Sequence, residues 1–403
     1  MRVLVLSNGI WKSGAQHATN EFLEFMSTNP NIEIKIIGCY EGNFVIQPNS
    51  IEIHRVPCKS IGILLDMKID KNFRQLIQWA DVVWIATGEY TVAKRIKRIK
   101  NIPIVAHIHS YEFICPIMIF SYKLAEICNG CSPWRIIQCK QGIHRELTKV
   151  GSLKRPKAQV YWLLDFGKGP LDYYLWKRAM SNVVESIDFF IAVSRATRDI
   201  VVSHLPEVEN KIEVVYNPVA YRPWRYLSFI PQQRGNYIFY AGGANIHKGP
   251  HILLNAFSLL RRWGIDVELV MTGTAGTWVE ALARRLGVDR GVEFLGKLPE
   301  EEYFRLMAGG RVTVMPSVWP EPLITVAVES ISLGVPVVGS NGGGIPEVVG
   351  NFGAVVPPHY EDVANAIVSL SEKDYDRYEM RNYAYEKFGE KNVEKLIKIF
   401  NSI

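Results

Sequence analysis

The sequence has no run of 18 apolar residues, so no stretch reads as a membrane-crossing helix. Its opening, MRVLVLSNG, lacks a charged leader followed by a long apolar core and a cleavage site, and reads as a strand, not a secretion signal. The dinucleotide pattern Gly-x-Gly-x-x-Gly is missing from the first strand–loop–helix unit, which argues against a nicotinamide oxidoreductase. Short repeats and low-complexity tracts are also absent, which excludes a solenoid. Charge is thin: a net +6 favours anionic ligands or an acidic membrane surface but falls short of a nucleic-acid signature. These absences predict a cytoplasmic protein, soluble or in peripheral contact with the membrane face.

What is present is a packed chain of two domains. Its 403 residues are 48% hydrophobic and 21% charged, too long for one ordinary core and too apolar for disorder. Strand and helix patterns alternate throughout, which predicts parallel sheets covered on both faces, with ligands beyond the carboxyl ends of the strands. The expected first domain is 1–218, closing on Asn217-Pro218-Val219. The second is 219–387, and a terminal helix at about 388–403 carries the apolar stripe Val393, Leu396, Ile397 and Phe400.

Four of the six cysteines, Cys115, Cys128, Cys131 and Cys139, fall at C-x12-C-x2-C-x7-C. The set is compatible with a structural zinc site, with two disulfides, or with free buried thiols, and has no catalytic role in any of them. The aromatic segment KAQVYWLLDFGKGPLDYYLWKRAM has cations at both ends. It suits a membrane interface or acceptor groove, and equally a core helix with snorkelling ends.

The stretch around which the chemistry is organised is PSVWPEPLITVAVESISLGVPVVGSNGGGIPEVV, residues 316–349, in which Glu321 and Glu329 are separated by seven residues. Pro322 suits the first position of a helix, which puts Glu321 at the end of the preceding loop and Glu329 two turns along. The N–H groups of Leu323, Ile324 and Thr325 would then offer a phosphate seat at the helix start. Lys248, just before Pro250, stands where an ammonium and a second helix start face one phosphate. Two glutamates at this spacing also occur on solvated helix faces.

The Glu-x7-Glu spacing, the preceding Pro-Ser, the following Leu-Gly-Val-Pro-Val-Val and the Gly-Gly-Gly-x-Pro-Glu loop together resemble the retaining glycosyltransferases of family 4. The resemblance implies the GT-B architecture: an α/β protein of two Rossmann-like domains facing across a cleft. It implies a nucleotide-diphosphate sugar as donor, a glycan or lipid-linked acceptor, no nucleic-acid partner and no required cofactor or metal. Lys248 would meet the donor diphosphate, Glu321 the donor sugar and Glu329 the ribose. His109, at the end of AHIHSYEFICP, would face the sugar or acceptor, while His107 shares its face and reads as a core imidazole. Gly14 and Ala15, in the place of the usual Gly-Gly, would lie against the donor phosphates. The family carries Arg where this chain has Gly243, so the diphosphate loses a bidentate cation, for which Arg195 or Lys12 is a candidate substitute. A phosphorylase or epimerase on the same architecture, or a non-catalytic nucleotide-sugar binding module, would use the same seat.

Overall fold

The computed structural model describes residues 1–8, 14–39, 51–56, 71–88, 90–117, 128, 130–152, 154–229, 234–371 and 373–403. They form two compact units: Met1–Pro116 with Tyr174–Val219 and Lys387–Ile403, and Ile117–Tyr173 with Ala220–Glu386. The segment 117–173, expected within the first domain, groups with the second.

Seven parallel strands make the sheet of the first unit: β1 (Arg2–Asn8), β2 (Glu33–Cys39), β3 (Ile51–Val56), β4 (Val82–Thr87), β5 (Ile104–Ile108), β6 (Phe189–Ala192) and β7 (Ile212–Val214). Their order is β3-β2-β1-β4-β5-β6-β7. Every residue of β4 and β5 is buried, as continuous apolar runs in a parallel sheet require. Helix Gly14–Ser27 lays Phe22, Leu23 and Met26 on this sheet at zero exposure. Helix Lys391–Ser402 adds Val393, Leu396, Ile399 and Phe400 to the same core, with Ile397 only partly covered. Each large apolar side chain so buried contributes about 1.5–3 kcal/mol relative to exposure. The edge strand β3 was not foreseen, although IEIHRV alternates as a half-buried strand does.

The second unit repeats the plan with β8 (Tyr237–Tyr240), β9 (Glu268–Thr272), β10 (Val292–Leu295), β11 (Val312–Met315), β12 (Val337–Ser340) and β13 (Gly353–Val356). All are parallel, in the order β10-β9-β8-β11-β12-β13. From β8 the chain winds outward in one direction to β10, then crosses back to β11 and winds in the other. Loops leaving β8 and β11 therefore part on opposite sides of the sheet, and the crevice between them is where open α/β sheets bind ligands.

Helix Arg155–Ser186 is longer than expected and keeps Pro170 inside it. Leu164, Leu171 and Leu175 are 48%, 60% and 60% exposed and lie on one helical face, so at these positions the helix is not a core helix, one of the readings the sequence allows. Gly169 faces the other way: a Cβ there would meet Ile137 at 2.8 Å, a close crossing with helix Pro133–Lys149.

Candidate functional site

Three loops of the second unit converge at the switch between β8 and β11. The first leaves β8 and ends at Lys248 and Gly249, after which Pro250 occupies the first position of helix Pro250–Arg262, as its fixed φ favours. The second leaves β11 and carries Ser317, Trp319 and Glu321; the third leaves β12 as Gly342-Gly343-Gly344. Two glycines make the convergence possible. Gly249 has φ +74, and a Cβ on it would lie 1.9 Å from the Pro316 carbonyl oxygen. Gly343 has φ +62, and its Cβ would lie 2.2 Å from the Glu321 carbonyl oxygen, which also accepts the Gly344 N–H at 2.7 Å. The triple-glycine loop thus braces the backbone of Glu321 from behind.

The braced side chain meets Lys248. Its Nζ lies 2.7 Å from both carboxylate oxygens of Glu321, and the Ser317 hydroxyl donates to Oε1 at 2.6 Å. Glu321 is 2% exposed, whereas the lysine side chain keeps 27% of its surface open and sits over the Trp319 ring at 5.5 Å. The acid is buried with its partners and the ammonium still reaches solvent. The Val318 N–H donates to the His247 carbonyl at 2.9 Å and ties the first two loops together. Burial, reinforced by the Lys248 charge, pushes His247 down to about 4, and burial beside Glu321 pushes the Tyr240 hydroxyl well above its usual value.

The following helix starts later than Pro322 predicts. It spans Thr325–Ser332 with Ile324 as the residue before its first turn, so Glu329 lies little more than one turn in. Backbone contacts from the glycine loop hold the chain at Glu321, and it turns once more before winding up. Among the described residues the N–H groups of Leu323, Ile324 and Thr325 meet no acceptor, while that of Ala327 is taken by the Ile324 carbonyl at 3.2 Å. The expected donors are free, on the approach to the helix and its first residue.

Glu329 is 2% exposed and has partners the sequence reading missed. Oε1 is paired with Arg222, and Oε2 accepts the Tyr303 hydroxyl at 3.1 Å. Arg222, itself 5% exposed, also reaches Glu300 at 2.6 Å, and Tyr226 donates to the other oxygen of Glu300 at 3.1 Å. Burial raises Glu329 above the usual carboxylate range, and the Arg222 charge opposes the rise. Arg222 lies in the proline-containing segment Val219–Phe229 that opens the expected second domain, and no motif there singles it out.

In the first unit, His109 follows the last residue of β5 and its ring stacks on His107, with centroids 4.4 Å apart. Burial pushes His109 down to about 3 and His107 well below its ordinary value. His107 is a core residue packed between Trp84 and Phe22, but neither of its ring nitrogens has a hydrogen-bond partner, so it is not a satisfied one. Gly14 and Ala15 open helix Gly14–Ser27, Arg195 donates to the Tyr216 hydroxyl at 3.3 Å, and Lys12 lies outside the described residues. The cysteine cluster does not form: Cys115, Cys128, Cys131 and Cys139 are free thiols, and among the described residues no group of three or more His, Cys, Asp or Glu is placed to hold a metal. Cys128 and Cys131 instead turn to the Gly130 and Ser132 carbonyls, contacts that their short spacing permits without an ion.

Two family models tile this chain: Glycosyltransferase Family 4 matches residues 31–221, and Glycosyl transferases group 1 matches residues 229–387. Together they support a glycosyltransferase that is group 1- and family 4-like. An uncharacterised glycosyltransferase of Methanocaldococcus jannaschii is 28% identical over 51% of this chain and 57% of its own length. Spore coat protein SA of Bacillus subtilis is 27% identical over 60% of this chain and 73% of its own. The first of these matches, like that to 46% of the glycogen synthase of Mycobacterium tuberculosis, leaves much of the relative outside the alignment. In three dimensions the chain is similar to Anabaena HepE, crystallised with UDP and glucose, with a TM-score of 0.68, 17% identity and 100% of both chains covered. It is also similar to WaaG, a glycosyltransferase of lipopolysaccharide biosynthesis, with a TM-score of 0.58 and 16% identity over 99% of each chain. The fold is GT-B.

For this glycosyltransferase the departure at Gly243 has a backbone side. Gly243 has φ +62, and a Cβ would meet only the Gly273 carbonyl oxygen, at 3.6 Å. A Cβ there meets no close contact, but the left-handed backbone suits glycine.

Proposed function

We propose that the chain is a retaining, metal-independent hexosyltransferase that moves a sugar from a nucleotide-diphosphate sugar to a hydroxyl of a glycan or glycolipid. The observation that carries this reading is the meeting of Lys248, Glu321 and the free N–H groups of Leu323, Ile324 and Thr325 at the switch point of the second sheet. Charge grows on the diphosphate as the sugar's bond to it lengthens, and an ammonium with preset amide donors stabilises that charge more than it stabilises the intact donor. Lys248 has three N–H bonds to give and lies part-exposed, so it can turn one toward phosphate while Glu321 keeps another. Glu321, rigid on its glycine brace, is suited to accept hydroxyls of the transferred sugar, and Glu329 those of the ribose. Gly14 and Ala15 keep the phosphate-side role, and His109 the role at the sugar or acceptor hydroxyl, that the resemblance assigns them.

The decisive experiment is a thermal-shift series with UDP, GDP, ADP and their sugars, because a ligand that binds only the folded chain raises its melting temperature according to affinity. UDP comes first, since HepE was crystallised with it. A shift with one nucleotide family, followed by transfer with the anomeric configuration kept in the product, is the expected result. No shift with any of them overturns the reading. One observation favours the binding-module alternative, the replacement of the second phosphate cation by Gly243, and donor binding without transfer to any acceptor would establish it. The proposed location is the cytoplasm, with peripheral contact at the membrane face supported by the exposed Leu164, Leu171 and Leu175.

A further inference from the structure

Next to the Lys248–Glu321 pair, the second unit holds a cavity of about 220 Å³. One wall is Ile143 and Leu147 of helix Pro133–Lys149, with Ser152 just beyond it. The opposite wall is the run Ala244–His247, which leads directly into Lys248, together with Trp278 at the start of helix Trp278–Leu286. The Trp278 indole N–H donates to the Ala244 carbonyl at 2.8 Å, so the wall itself takes up the ring's only donor. The ring remains as an apolar surface, held in place.

The lining selects its ligand by what it mixes. It has no formally charged side chain once His247 is neutral, and burial keeps it so above about 4. A phosphate or carboxylate would gain no cation there, and neither would a base gain an acid. A purely aliphatic group would cover the amide of Asn245, the hydroxyl of Ser152 and the His247 imidazole without giving them partners. A sugar ring offers what each wall lacks: carbon–hydrogen faces for the indole and the aliphatic side chains, hydroxyls for the amide, hydroxyl and imidazole. Size agrees. An apolar cavity of about 150 Å³ accepts benzene, so this one accommodates a single substituted six-membered ring and not a disaccharide.

We propose that this cavity is a subsite for one uncharged sugar ring. Because its wall ends at Lys248, the ring belongs to a molecule reacting at that centre, either the donor's own sugar or a ring of the acceptor. Whose ring it is rests on the transferase reading; the subsite itself does not.

Leu147→Trp fills the cavity from the side away from Lys248. Asn245→Ala is the second variant, since that side chain is exposed and its loss leaves packing intact should the larger residue impair folding. Two measurements are made on wild type and variants: saturation-transfer NMR with the methyl glycosides of glucose, galactose, mannose and glucuronic acid, and thermal shifts with each nucleoside diphosphate against its sugar conjugate. The expected result is binding of at least one neutral glycoside at about millimolar Kd, none of the glucuronide, and a loss of tenfold or more in Leu147→Trp with the nucleotide shift unchanged. If the ring is the donor's, the extra stabilisation that the conjugate gives over its nucleotide disappears in Leu147→Trp as well. If it is the acceptor's, that extra stabilisation survives. The proposal is overturned if no neutral glycoside binds and the conjugate adds nothing over its nucleotide, if both variants bind all probes as wild type does, or if 1-octanol binds in place of the glycosides. Should no nucleotide bind while glycoside binding is lost in Leu147→Trp, the transferase reading falls and the subsite stands.

Discussion

The two sheets have the same winding but carry opposite chemistry at their strand ends. In the second unit, Glu321 and Glu329 are nearly fully buried and each is met by a cation and a hydroxyl, Lys248 with Ser317 and Arg222 with Tyr303. In the first unit, His107 and His109 are kept neutral by burial, and both nitrogens of His107 and Nε2 of His109 have no hydrogen-bond partner. A buried charge must be paired to be tolerated, so the second set of loops is fixed before any ligand arrives. The imidazoles pay no such electrostatic penalty at neutral pH and leave their hydrogen-bonding capacity unspent. Topology predicts where a ligand sits in each sheet, and the pairing of charge is what favours the second sheet in the proposed phosphate role.

That contrast is broken most directly at the ion pair. Lys248→Ala and Glu321→Gln should each lower kcat/KM for transfer by about 10²- to 10³-fold, the cost of a contact made mainly in the transition state. His109→Ala should fall short of that, because a neutral group loses less on removal. Equal losses at all three positions would mean that charge pairing does not separate the two strand ends.

A stability measurement reaches the other pair. Arg222→Met strands Glu329 in the interior, and urea unfolding should show a loss of about 3 kcal/mol. The folded-state carboxyl is already raised, so protonation stabilises the fold as pH falls through that raised value, and the variant, which raises it further, should be hurt more at about pH 8 than at about pH 5. A loss independent of pH would show that packing, not charge, is what Arg222 supplies. The glycine brace comes next: Gly343→Ala sets a Cβ against the Glu321 carbonyl and should cost about 2 kcal/mol, with transfer falling as Glu321 shifts.

These residues also show what was legible. Most of the strands were, because VVWIAT and VTVM are apolar but for one threonine each and buried throughout, as a sheet covered on both faces demands. Lys248 and Glu321 were too, since each stands at a loop beside a proline that announces a helix. The true helix start at Thr325 was not: it depends on Gly343 and Gly344 holding Glu321, a contact across more than twenty residues. Arg222 was hidden for the same reason, its partner Glu329 being 107 positions away. The cysteine spacing left three states open, because spacing is a local property, whereas a metal site needs ligands that tertiary structure brings to one point; among the described residues the four are free thiols.

Acid titration compares the two units on one scale. His109 is depressed from 6.5 to about 3 and His247 from 6.5 to about 4, both chiefly by burial. A histidine with a lowered folded value binds its proton in the unfolded chain first, so its contribution is complete above about 6.5 and is lost as pH drops toward the folded value. His109→Gln and His247→Gln should each flatten that loss by up to about 1.4 kcal/mol per pH unit. The His109 variant should go on doing so to lower pH. A wild-type acid limb unchanged in both would place the imidazoles in water.

The smallest effect is expected at Gly243, where the family resemblance implies an arginine that the second unit lacks. The Cβ of Gly243→Arg meets no close contact, so the expected cost is the left-handed backbone, about 1 kcal/mol, or a fall of about 2–4 °C in melting temperature for a unit of this size. Against that stands a planar cation with several donors, placed in the loop that leads to Lys248. Transfer should therefore rise by less than about tenfold, because in the proposed site Lys248 and three free amides already meet the charge that develops. A rise of about a hundredfold would show that the diphosphate is under-neutralised in the natural chain. The well-paired site of the second unit would then be paired for stability and left short of charge for catalysis.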